Sequence, residues 1–153
     1  MRLSYCSCVL PALLLTLALV APGLRAESAA IEVQGVGATD AGKKEQTIPA
    51  SLAQYKHLLK ETLFGTFTDV GHQAVKPAAG GKDSAAIAGF TVEVTLVGVA
   101  GAKAKVQITI KQGGKPIGDP LASTLSKGEP LMISKVGSRD AQTILILTLK
   151  DTH

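Results

Sequence analysis

The clearest pattern in the chain is an alternation of apolar and polar positions that begins after residue 89. Phe90, Val92, Val94 and Leu96 alternate with Thr91, Glu93 and Thr95, and Val106, Ile108 and Ile110 alternate with Lys105, Gln107, Thr109 and Lys111. A period of two places one set of side chains on a buried face and the other in water, so each run predicts a half-buried strand, and Gly101 between them makes the two a hairpin. Ile31 and Val33, alternating with Glu32 and Gln34, predict an earlier strand, and residues 66–70 another. Residues 35–46 (GVGATDAGKKEQ) are poor in large apolar side chains and are expected to form a loop. A second turn-rich stretch covers residues 76–82 (KPAAGGK).

Residues 115–125 contain Pro116 and Pro120, which cannot donate to a ladder, so this segment is expected at the border of a sheet or in an irregular strand. A short strand at 131–133, a turn at 137–140 and a last strand at 144–149 follow. That last run (ILILTL) is apolar at nearly every position, as expected of a central strand covered on both faces. One segment has a different period: Leu52, Tyr55, Leu58, Leu59 and Leu63 fall in one arc at helical spacing, opposite Ala53, His57, Lys60 and Glu61. With Pro49 at its first position and Gly65 as its stop, it predicts an amphipathic helix over about 49–64. Strands spaced roughly 8 to 12 residues apart with one helix predict a mainly β fold, an antiparallel β-sandwich or open barrel with the helix on a face or at an end.

The chain begins differently. Arg2 precedes an apolar run at residues 9–20 (VLPALLLTLALV), and Pro22 and Gly23 break it. This is the order of a cleavable secretory leader, and a membrane span needs roughly 20 apolar residues, more than the run supplies. Residues 1–26 are therefore expected to be a signal peptide, removed after Ala26 or Ser28, and residues 27–153 a single small domain. Cys6 and Cys8 leave with the leader, so the remaining domain has no thiol and is free of disulfides. The expected destination is the periplasm or the medium, with no stable membrane insertion after cleavage. Absence of Asn excludes N-glycosylation, and an exported domain rich in Ala without Asn or Cys suggests a bacterial source.

Charge adds little. Arg2 and Arg25 leave with the leader, which lowers the net charge from +4 to +2. Lysines spaced singly along the sequence do not predict a nucleic-acid or anionic-membrane partner.

The order of elements resembles a group of short, uncharacterised exported bacterial proteins. The residues that carry the resemblance are Pro49 and Leu52, Leu59, Phe64 and Phe67, and the stretches Phe90 to Val94, Gly128 to Leu131, and Ile144 to Leu149. It implies a leader, one amphipathic helix and a sandwich-like domain, and brings no activity with it. The last two strands are also faintly similar to those that close outer-membrane secretin domains.

Candidate chemistry was weighed position by position. Gly35, Val36 and Gly37 match the opening of a dinucleotide fingerprint, but Asp40 stands where a third glycine is needed. Gly80, Gly81, Lys82 and Ser84 resemble a phosphate loop without its first glycine. His57 and Glu61, four residues apart, are the one pair that could share a metal, while His72 and His153 show no ligand spacing. Asp69, Asp83, Glu93 and Glu129 are carboxylates that could pair only through the fold. No catalytic, cofactor-binding or metal residue is assigned from these. The expected function is a non-catalytic binding or interaction module, with another envelope or secreted protein as partner and edge-strand pairing as the contact. The alternative is a small hydrolase or metal-dependent enzyme whose site is assembled from residues distant in sequence.

Overall fold

The computed structural model describes residues 27–137 and 141–153, the side chains of 135–137 excepted, so the expected leader lies outside the described residues. Among the described residues nine strands form two antiparallel sheets packed face to face. The first sheet has the order β2 (Phe64–Val75), β1 (Ala29–Ala41), β9 (Ala141–Thr152), β8 (Pro130–Gly137). The second runs β3 (Lys82–Ile87), β4 (Phe90–Ala100), β5 (Lys103–Gln112), β6 (Lys115–Pro116), and β7 (Leu121–Ser126) pairs with β5 farther along the same border. The fold is a mainly β sandwich. The hairpin around Gly101 and the apolar alternation of β4 and β5 are as the sequence predicts, with Val92, Val94, Leu96, Val106 and Ile108 all buried between the sheets.

The run ILILTL lies in β9, between β1 and β8. Leu145, Leu147 and Leu149 enter the core between the sheets, whereas Ile144 and Ile146 enter a second core on the opposite face. Two cores on one strand explain why it has no polar alternation. The second core lies under the helical segment, whose Leu52, Tyr55 and Leu59 cover Val36, Ala38, Ile144 and Ile146.

That segment departs from the helix expected over 49–64. It is a 3₁₀ stretch, Ala50–Tyr55, followed by a single α turn, Lys56–Leu59. Three residues per turn stack Leu52 above Tyr55, and the wider α spacing then brings Leu59 onto the same face. After Leu59 the chain turns off the helix: the Thr62 N–H and Oγ1 both donate to Leu59 O, at 3.1 Å and 2.7 Å, and Gln46 Nε2 donates to Leu59 O at 3.4 Å, Thr62 O at 3.2 Å and Phe64 O at 2.9 Å. Leu63 therefore leaves the apolar arc and is 82% exposed.

Two other expectations fail. The loop expected at 35–46 is strand as far as Ala41, paired with β9 up to Thr39 and with β2 up to Ala41. Residues 82–87, assigned no element from sequence, form β3, joined to β4 by the tight turn Ala88 and Gly89 with φ of 52° and 81°.

Candidate interaction surface

The residues that could assemble an enzyme site are spread over the molecule. His57 lies in the α turn, while Glu61 is exposed beyond the helix end, so the two no longer share a helix face. Glu93 lies on the outer face of the second sheet between Lys111 at 3.0 Å and Lys82 at 3.4 Å; the hydrogen bond from Lys111 holds its carboxyl below the usual range. Asp83 is a turn cap, accepting from the backbone N–H of Lys76 at 2.9 Å and of Ser84 at 2.8 Å. Glu129 is exposed in the turn before β8, and His153 is 3.9 Å from Asp151 at the chain end. Gly35 and Gly37 are within β1, and Gly80 and Gly81 lead into β3. Of the set, the fold brings Asp69 and His72 near each other on β2. Among the described residues no group of three His, Cys, Asp or Glu could hold a metal ion.

Asp69 belongs to a structural network. Gln34, buried on β1, donates through Nε2 to Asp69 Oδ1 at 2.8 Å, Gly35 O at 2.9 Å and Gly71 O at 3.0 Å. Asp69 also accepts from the Gly71 N–H at 3.0 Å, across the register shift between Gly35 and Val36. The network thus satisfies the polar groups that the bulge leaves without ladder partners. The Gly71 N–H is the main reason that the Asp69 carboxyl lies below its ordinary value of 3.8, with Gln34 adding to it. A carboxyl lowered by folding contributes stability above its unfolded value, and that stability is lost as pH falls through the folded value. Asp69→Asn is expected to lower the melting temperature near neutral pH, and the difference from wild type should shrink below about pH 4. Melting curves at both pH values check this; a constant difference would leave the Asp69 charge without a role.

A pocket of ≈ 320 Å³ lies beside the helical segment, lined by Gln54, Tyr55, His57, Lys127, Thr148 and Lys150 among others. The Tyr55 hydroxyl donates to Glu32 Oε1 at 3.4 Å, and burial raises its pKa. Thr148 Oγ1 faces that hydroxyl but falls short of hydrogen-bond geometry and is buried without a partner. Both lysines are engaged, Lys150 with Glu32 at 3.3 Å and Lys127 with Asp151 at 3.1 Å, so the pocket presents no unpaired lysine to a ligand.

The borders of the sheets differ more sharply. The start of β2 is covered by Thr47, which bridges to Thr66 and receives the Phe67 N–H at 3.0 Å. On β3 the Ala86 N–H is taken by the Gln73 side chain at 3.0 Å, and Lys82 and Asp83 place charges there. The segment expected at a border, residues 115–125, does lie there: its second half is β7, hydrogen-bonded to β5 and to no other strand. β7 reads Leu-Ala-Ser-Thr-Leu-Ser, with no charge and no proline within it. Its neighbour Lys127 turns its N–H inward to Ala102 O at 2.9 Å, in register with the β5–β7 ladder. Backbone groups alternate direction along a strand, so Ala122, Thr124 and Ser126 turn theirs outward. At this border Leu121 is 43% exposed; Val97, two strands inward on β4 and displaced by the bulge between Leu96 and Gly98, is 64% exposed.

No family model, no curated protein and no solved structure is found to be similar.

Proposed function

We propose that this protein is an exported, non-catalytic interaction module that binds another exported protein by adding one of its extended segments to β7. The observation that carries the reading is the uncharged outer edge of β7, which among the described residues pairs with β5 alone, whereas the start of β2 is covered by Thr47 and β3 is capped and charged. An edge of this kind offers a row of unsatisfied N–H and C=O groups, which a partner strand satisfies while its side chains on one face meet Leu121. The scattered histidines and carboxylates support a binding role over the enzyme alternative, because catalysis needs such groups to converge.

The outward direction of Thr124 makes the test clean. Proline there removes an N–H that takes no part in the β5 ladder, and edge strands tolerate proline at such positions. Thr124→Pro is expected to leave the melting temperature close to wild type and to abolish capture of the partner from a periplasmic or secreted fraction. Capture that persists in the folded variant would move the contact away from β7.

A further inference from the structure

Lysines that are scattered along the sequence come together in the fold. The chain leaving β1 carries Lys43 and Lys44, and the helical segment carries Lys56 and Lys60 one turn apart. These four, with Leu63, line one shallow cleft of ≈ 710 Å³. No carboxylate lines it. Asp40 pairs with Lys43 at 3.4 Å and is held also by the Thr66 hydroxyl at 2.6 Å, while Lys44, Lys56 and Lys60 have no carboxylate within ion-pair distance among the described residues. Glu45 and Glu61, their exposed chain neighbours, lie outside the lining. Leu63 is the most exposed large apolar side chain of the described residues, at 82%.

We infer that this patch is a peripheral docking surface for an anionic lipid bilayer, separate from the β7 border. Free cations arranged around one protruding leucine match what an anionic interface offers, a sheet of negative headgroups over an apolar layer. The cleft is shallow and open, so it does not enclose a small solute. On a bilayer, Lys44, Lys56 and Lys60 each gain a headgroup and Leu63 leaves water, with Lys43 kept in its pair with Asp40. Near such a surface a lysine contributes about 1 kcal/mol, or roughly fivefold in affinity. The surface is consistent with the small net charge of +2 after loss of residues 1–26, because attraction is local within a Debye length of about 8 Å.

Residues 27–153 contain every described strand and both cores, and this form, without the apolar first segment, is the one to test. It is mixed with vesicles of phosphatidylcholine alone or enriched in phosphatidylglycerol, and bound protein is measured by sedimentation. Binding is expected to the anionic vesicles only, and to weaken as salt shortens the Debye length to about 3 Å. Changing Lys44, Lys56 and Lys60 together to Gln should lower the affinity on the order of a hundredfold. Leu63→Ala should lower it severalfold, and Thr124→Pro should leave it unchanged. Equal binding to neutral vesicles, or no effect of the triple variant, would overturn the inference. So would loss on the lysine changes with no effect of Leu63→Ala, since a dissolved polyanion rather than a bilayer would then be the partner.

Discussion

Leu59→Ala is expected to cost about 2–5 kcal/mol of stability, and Leu63→Ala to change it by no more than about 0.5 kcal/mol. Both leucines belong to one helical arc in the sequence, so the contrast separates periodicity from structure. Leu59 is fully buried between the helical segment and the outer face of the first sheet, among Val36, Ile144 and Ile146. Truncation there removes the transfer free energy of the lost atoms and leaves a cavity walled by strand residues that cannot collapse into it. Leu63 stands beyond the helix end, in the turn that Thr62 and Gln46 hold, and water already surrounds it. Chemical denaturation of the two variants measures the difference directly. Similar losses would mean that the helix continues past Leu59 and buries Leu63.

What the sequence made legible follows from how each element buries its side chains. β4, β5 and β9 were readable because large Val, Ile and Leu side chains mark most of their buried positions, and β9 could be placed centrally because both of its faces are apolar. The far half of β1 was not readable, although it keeps the same period of two. There the positions facing the second sheet are Gly35 and Gly37, whose lack of side chain hides the alternation, while Val36 and Ala38 are buried on the other face. β3 was missed because its core face amounts to Ala85 and Ile87. The candidate surfaces were legible in unequal degree. Prolines pointed to the β7 border, but the lysine cluster depends on bringing residues 43–44 against 56–60, which no local pattern announces. Helix length misled for a related reason: Gln46, distant in sequence, bonds to the carbonyls of Leu59, Thr62 and Phe64 and holds the chain after Leu59 in a turn that leads into β2.

Gly35 carries the second large expectation, because two sheets meet at its Cα. A Cβ at this position would lie 2.3 Å from Ile87 Cγ2 and 2.9 Å from Val70 Cγ2. Contacts that short force neighbouring side chains or backbone to move, and in a packed interior overfilling of this kind costs about 1–3 kcal/mol or more. The position also adjoins the bulge that Gln34 and Asp69 hold, so the strand has little freedom to retreat. Gly35→Ala is therefore expected to destabilise the fold by at least that amount, although alanine is an ordinary strand residue and the change lies far from β7 and from the lysine cleft. A double-mutant cycle identifies the cause. Ile87→Ala alone removes a buried side chain and costs about 2–5 kcal/mol, yet it also removes the methyl that blocks a Cβ at position 35. Steric conflict between the two positions makes their effects non-additive, so Gly35→Ala should cost about 1 kcal/mol less in the Ile87→Ala background than in wild type. Additive losses would place the cost of Gly35→Ala elsewhere, in the bulge rather than in the approach of the two sheets.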